Sequence, residues 1–327
     1  MLFSQILTTF DEEKQLTVMR QIEDRYISLL TDFGFKRIFG TAPNKELLIC
    51  FLNSLFDGKQ VIKDVKYLNS EHIGDYHAER KAIFDVYCEG ENGEKFIVEM
   101  QNAYQEFFKD RSLFYSTFPI CEQAIKGSDW DFKLNHVYTV ALLNFDMKDA
   151  AFNEQAICHT VKLCDIDTHK VFYEKLDFIY VEIAKFDKTE DELASLYDKW
   201  LYVLKNLSKL DNRPKALRDK VFDRLFEEAE IAKFTPQELR EYEDSRKAYR
   251  DLKNSLDTAM KEGIEKGMKE GIEKGMKEGI EKGMKEGMKQ GSISTQYAIA
   301  KNLKAMGIGH QEIQKATGLS IAEIENL

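Results

Sequence analysis

The sequence predicts an α/β domain over roughly residues 20–187, with a mixed sheet flanked by helices, followed by an all-helical C-terminal region. Three observations carry this. Residues 23–56 repeat apolar side chains at helical spacing. The runs "AIFDVYC", "FIVEMQ", "HVYTVALLNF" and "FIYVEIAKF" then have the length and apolar content of sheet strands. From about residue 188 the composition becomes strongly charged and helical.

Taken in order, residues 23–56 divide into two helices at "GTAPN", a cluster of turn formers. A strand is expected at 61–69, then a polar connection through His72 and His77. Two further strands surround the turn "GENG". Residues 106–127 return to helical spacing, with Gly127 as the expected C-cap. The run 136–145, β-branched and bounded by polar residues, reads as a central strand, and 178–186 as another. Within the helical region 188–262, Thr189 with Glu192, and Thr235 with Pro236 and Glu238, have the spacing of capping boxes.

Residues 263–291 carry a glycine at every fourth position, followed by Ile or Met at all but the last. A four-residue period overshoots the 3.6-residue helical turn, so this apolar stripe must wind around a helix. Two readings stand: an exposed, partly frayed linker weakened by its glycines, and a homodimer packed closely through them. Residues 292–327 are expected to form three short helices broken at "GIG" and "GLS", with Ser320 and Glu323 as a capping box. Their spacing is that of a helix-turn-helix. The last helix, "IAEIENL", has two glutamates and no cation, so a packing module fits better than a DNA reader.

Bulk properties narrow the class. With 43% hydrophobic and 12% aromatic residues, the chain is expected to fold rather than stay disordered. Cys50, Cys88, Cys121, Cys158 and Cys164 form no CxxC pair and read as reduced, buried thiols of a cytoplasmic protein. The opening "MLFSQILTTFDEEKQ" has no basic leader region, and no apolar run reaches the roughly 18 residues of a membrane span, so a soluble, unprocessed chain is expected. A net charge of −10 disfavours a broad nonspecific nucleic-acid surface, although a local basic patch would still hold phosphates. HExxH, GxxxxGK[ST] and GxSxG are all absent.

One pair of residues resists a purely structural reading. Asp85 and Glu99 interrupt apolar strands, where an ionised carboxylate is costly unless compensated. With the turn centred on Asn92, positions summing to about 184 face each other, and Asp85 falls opposite Glu99. Strand alternation turns Gln101 to the same face as Glu99. Two carboxylates this close repel unless a cation neutralises them, and Mg²⁺ prefers oxygen ligands of this kind. The structural alternative makes Asp85 an ion-pair partner of Arg80, Lys81 or Arg111.

The stretch "FDVYCEGENGEKFIVEMQ" with the following "FFKDRSLFYSTFPICEQAIKGSDW" resembles the PD-(D/E)XK nuclease superfamily. Within it the chain is similar to the Rpn-type recombination-promoting nucleases, often labelled transposases. "ISLLTDFGFKRIFG", the "EKGMKEG" repeats and "TGLSIAEIENL" resemble that family too. The resemblance implies a restriction-endonuclease-like fold and a metal-dependent DNA endonuclease acting in recombination or mobile elements. It makes Asp85 and Glu99 ligands of Mg²⁺ or Mn²⁺, together with the main-chain carbonyl of Met100. Gln101 stands where the superfamily usually has lysine, so Lys81, Lys36 or Arg111 is expected to supply the missing charge, with Lys36, Arg111 and Tyr115 contacting phosphate. DNA is the expected partner and a membrane is not. The rival is a noncatalytic protein that keeps this fold and acts through oligomerisation or partner binding.

Overall fold

The computed structural model describes residues 24–72, 82–124 and 131–327. Lys81, His77, Gly127 and the N-terminal stretch discussed above lie outside them. The chain divides into two compact units, with the boundary between Asn254 and Ser255.

The first unit opens with helices α1 (Asp32–Phe39) and α2 (Lys45–Phe56). Thr31 caps α1 by accepting the Gly34 N–H at 3.1 Å. A single 3₁₀ turn, Ala42–Asn44, separates the helices at the expected break. Strands β1 (Val65–Tyr67), β4 (Val86–Gly90), β5 (Lys95–Gln101), β6 (Val137–Leu143), β7 (Cys158–Cys164) and β8 (Val171–Glu182) form one sheet of order β1-β4-β5-β6-β8-β7. Two-residue strands β2 (Glu71–His72) and β3 (Ala82–Ile83) pair separately. The central ladders β5–β6 and β6–β8 are parallel and the others antiparallel, which makes the sheet mixed. Parallel neighbours need a crossover, and α3 (Phe108–Glu122) supplies it between β5 and β6.

The two sheet faces are covered differently. Phe96, Val98, Tyr138, Val140, Leu142, Ile179 and Val181 share a core with α1, α2, α4 (Leu196–Asn206) and α5 (Lys220–Ala229). The opposite face, with Val137, Ala141, Leu143, Phe178 and Tyr180, packs under Phe108 of α3. Tyr87 and Ile97, also on that face, join Phe84 and the part-buried Tyr115 and Phe118 of α3.

Several expectations are refined. The predicted strand at 61–69 shortens to β1, because the Asn53 side chain takes both the N–H and the C=O of Ile62, at 2.8 Å each. Strand β8 begins at Val171 rather than 178. Strand β7 has no counterpart in the sequence reading. The Thr189–Glu192 box exists but caps a 3₁₀ turn, Glu190–Glu192, and the α-helix starts later, where Ser195 and Asp198 form another box. Of the cysteines, Cys88 is buried, but Cys121 and Cys164 are exposed.

Helix α6 (Pro236–Ala305) starts at the predicted Thr235–Glu238 box: the Glu238 carboxylate accepts the Thr235 N–H at 2.7 Å, and the Glu238 N–H reaches Thr235 Oγ1 at 3.3 Å. Glu238 also pairs with Arg37 of α1, whose Nε donates to the Glu228 carbonyl at 2.9 Å. This cap therefore helps seat α1. Thr235→Ala is expected to cost about 1 kcal/mol, the usual worth of an N-cap, measured as a lower urea midpoint at unchanged slope.

In the second unit, residues 263–291 are helical, and the stripe from Ile264 to Met288 is exposed along its length. A Cβ added at any glycine from Gly263 to Gly291 would meet nothing within 4 Å. The first of the three expected terminal helices is the end of α6. It packs Ala300 with Ile313 of α7 (His310–Thr317) and Ile324 of α8 (Ile321–Glu325). Gly307 and Gly318, at φ +81° and +76°, make the two breaks, in a region that side chains other than glycine rarely adopt. Among the described residues, no helix is long and apolar enough to cross a membrane.

Candidate active site

The site is built on the hairpin of β4 and β5. Gly90 donates its N–H to the Glu94 carbonyl at 2.8 Å and closes a three-residue loop, Glu91 to Gly93. Gly93 ends the loop at φ +82°, and a Cβ there would meet the Asn135 amide at 2.5 Å. The loop fixes the register Val86↔Val98, Tyr87↔Ile97 and Cys88↔Phe96, in which paired numbers sum to 184. Continued by one residue, that register sets Asp85 opposite Glu99.

At this point β4 has ended, and side chains take over the ladder. The Met100 N–H donates to Asp85 Oδ2 at 2.8 Å, and the Asp85 N–H donates to Glu99 Oε1 at 3.3 Å. The Phe84 N–H, which a continued ladder would aim at Met100, goes instead to the Ser70 carbonyl. A strand residue points its N–H and C=O to the same side. The Met100 carbonyl therefore faces the side from which the Asp85 carboxylate approaches.

Glu99 is buried on the α3 face of the sheet, in register with the small Ala141 of β6. Gln101 shares that face and donates its amide to Glu99 Oε2 at 3.3 Å. Two cations converge from flanking helices. Arg111 of α3 reaches Glu99 Oε2 at 3.4 Å and Gln105 at 3.0 Å. Lys36 of α1 sits 2.7 Å from Asp32 and 3.9 Å from Asp85 Oδ1. Tyr115 meets the Arg111 guanidinium, 4.9 Å above its ring, and Phe84 at 5.2 Å, not the carboxylates.

Burial dominates the electrostatics. It pushes Glu99 up to about 8, with the Asp85 charge adding to the rise and Arg111 opposing it. Burial raises Asp85 too, against the Met100 N–H and Lys36, which favour its charged form. Burial works against the Lys36 ammonium, but its bond to Asp32 and the charges of Asp85 and Glu99 leave it raised. Among the described residues, the charges of Lys36 and Arg111 thus do not outweigh burial at the paired acids. Glu182, fully buried elsewhere, takes Met147 N–H at 2.7 Å, Lys185 at 2.7 Å and His159 at 2.9 Å.

Asp32 is the residue the sequence reading missed. Its signal was the pairing with Lys36 one turn on, at the start of an amphipathic helix, although nothing local says that this turn meets β5.

The molecule is therefore an α/β protein with two acidic side chains at the mouth of its central hairpin, overhung by two cations. A family model described as PD-(D/E)XK nuclease family transposase matches residues 29–259, more than half of the chain, and the chain belongs to that family. No curated protein and no solved structure matches it. The family supports a nuclease or mobile-element role and implies DNA binding, and PD-(D/E)XK nucleases generally use divalent metal ions.

Proposed function

We propose that the chain is a Mg²⁺-dependent DNA endonuclease, active in recombination or mobile-element movement, with Asp85 and Glu99 at its catalytic centre. The observation that carries this is the Asp85–Glu99 pair, half-buried Asp85 held beside buried Glu99 with its N–H on Glu99 Oε1 at 3.3 Å. The donors fit a divalent ion. Two carboxylates suit Mg²⁺, a cation that takes one or two of them and keeps several waters; among the described residues no group of three or more His, Cys, Asp or Glu side chains gathers. Asp85 and Glu99 would hold it, with the Met100 carbonyl as the main-chain ligand.

When bound, such an ion supplies Lewis-acid neutralisation of phosphate oxygens and lowers the pKa of the attacking water. The chain's own groups orient the substrate. Arg111, braced by Gln105 and Tyr115, offers a planar fork of donors to a phosphate. Lys36 contributes a mobile point charge from α1. Gln101 replaces the usual lysine with hydrogen bonds only, so in this reading Lys36 and Arg111 carry the positive charge beside the scissile group.

The test is plasmid cleavage with Mg²⁺, Mn²⁺ or EDTA, by variants whose folding is verified by circular dichroism. Asp85→Ala is expected to lose about a thousandfold of the metal-dependent rate, since a metal contributes several kcal/mol. Gln101→Ala should lose roughly a hundredfold, the effect of one positioned donor. No cleavage with any metal, together with no heat of metal binding, would return the chain to a noncatalytic assembly role.

A further inference from the structure

Next to the acidic pair the chain displays aromatic surface. Tyr104, Phe107 and Phe114 are 55%, 69% and 45% exposed. Phe107 precedes the first residue of α3, and at 100° per residue Phe107, Arg111 and Phe114 fall within about 60° of one another. They form a stripe apart from Phe108, Ser112 and Ser116, which are buried. Arg111, in the middle of the stripe, is the residue that reaches Glu99 at 3.4 Å. The rings are braced from the side: Tyr104 meets Phe145 at 5.8 Å, and Phe114 meets Phe118 at 5.1 Å, both near perpendicular.

We propose that Tyr104, Phe107 and Phe114 are a stacking platform for unpaired bases, so that the strand delivered to Asp85 and Glu99 is single-stranded DNA or the unpaired stretch of a duplex. This rests on the nuclease reading above. Bases inside a duplex are already stacked and offer exposed rings nothing to lie against. Duplex binding instead depends on neutralising many phosphates. The chain has a net charge of −10, and the same stretch exposes Glu106 and Asp110 while Lys109 is paired with Asp149. Single strands bind through π-faces with fewer phosphate contacts and little sequence preference. A protein seated on this stripe would have to cover Arg111 between the two phenylalanines and so close over the acidic pair. A nucleic-acid strand uses the rings and the guanidinium together.

The experiment is fluorescence anisotropy of the full chain with a labelled single-stranded oligonucleotide and with its duplex, in EDTA to prevent turnover. Phe107→Leu and Phe114→Leu keep apolar bulk and lose the π-face. Each is expected to weaken single-strand binding roughly tenfold, as removal of a stacking ring does, and duplex binding by less than about twofold. Unchanged single-strand binding, or an equal loss for both forms, overturns the proposal. So does a dimer in sedimentation that dissociates on these substitutions while single-strand binding stays constant. Plasmid cleavage that requires Asp85 but ignores every ring substitution would keep the nuclease reading and discard this one. Ring-dependent single-strand binding by a chain that cleaves nothing would do the reverse.

Discussion

Glu99→Gln is expected to remove metal-dependent cleavage, by about a thousandfold, and at the same time to stabilise the metal-free protein at alkaline pH. The two effects have opposite signs because one carboxylate serves both. In the folded chain Glu99 titrates near 8, against an ordinary value of 4.5, because burial and the neighbouring Asp85 disfavour its charge. A raised carboxylate contributes its stability in full below the unfolded value and loses it as pH climbs through the folded one. Wild-type stability in EDTA should therefore decline from about pH 4.5 to about pH 8. Each pH unit in that window is worth up to about 1.4 kcal/mol, so the total is of the order of a few kcal/mol. Glutamine cannot ionise and escapes the decline. Urea denaturation of both proteins from pH 5 to 9 measures the difference, and added Mg²⁺ should restore only the wild type. Parallel pH profiles for the two proteins would show that burial and Asp85 do not raise Glu99.

Trp200→Ala should be the most damaging single change to the fold, at about 3–5 kcal/mol, the range for removing a large aromatic side chain from a core. Trp200 is fully buried and touches Phe39 of α1 at 5.7 Å, Phe51 of α2 at 5.8 Å and Phe222 of α5 at 5.1 Å. A cavity there loosens the helix that carries Lys36 as well as the core. The expected result is a thermal midpoint lower by several degrees, and a variant as stable as the wild type would contradict the packing described. Because Asp85 and Glu99 ride on the hairpin, residual cleavage at low temperature should exceed that of Asp85→Ala.

The parts of the fold legible in the sequence are those governed by near neighbours. Gly90 and Gly93 announced the hairpin loop, and the loop set the register that faces Asp85 to Glu99. The Thr235–Glu238 and Ser320–Glu323 boxes form as their spacing indicates, because each needs only one turn of backbone. Strand β7 escaped notice because it is an edge strand. His159 is buried on it, but His, Lys and Cys share it with exposed Val161 and Leu163, so no alternation survives. Thr189 misled by one element: its box closes, but Leu193 leaves in extended backbone before the α-helix begins.

The site divides along the same line. The sequence by itself determined that Asp85 falls opposite Glu99 and that Gln101 shares the Glu99 face, since a short turn sets the register and strand alternation sets the face whatever the remaining chain does. Only the tertiary structure decided what surrounds them. Lys36 and Asp32 arrive because α1 is docked by Arg37, Glu238 and the Trp200 cluster, and Arg111 arrives because the β5–α3–β6 crossover lays α3 over the Glu99 face of the sheet. Those contacts join residues distant in the chain, and helix docking is set by the shape and burial of whole faces, which no local spacing encodes.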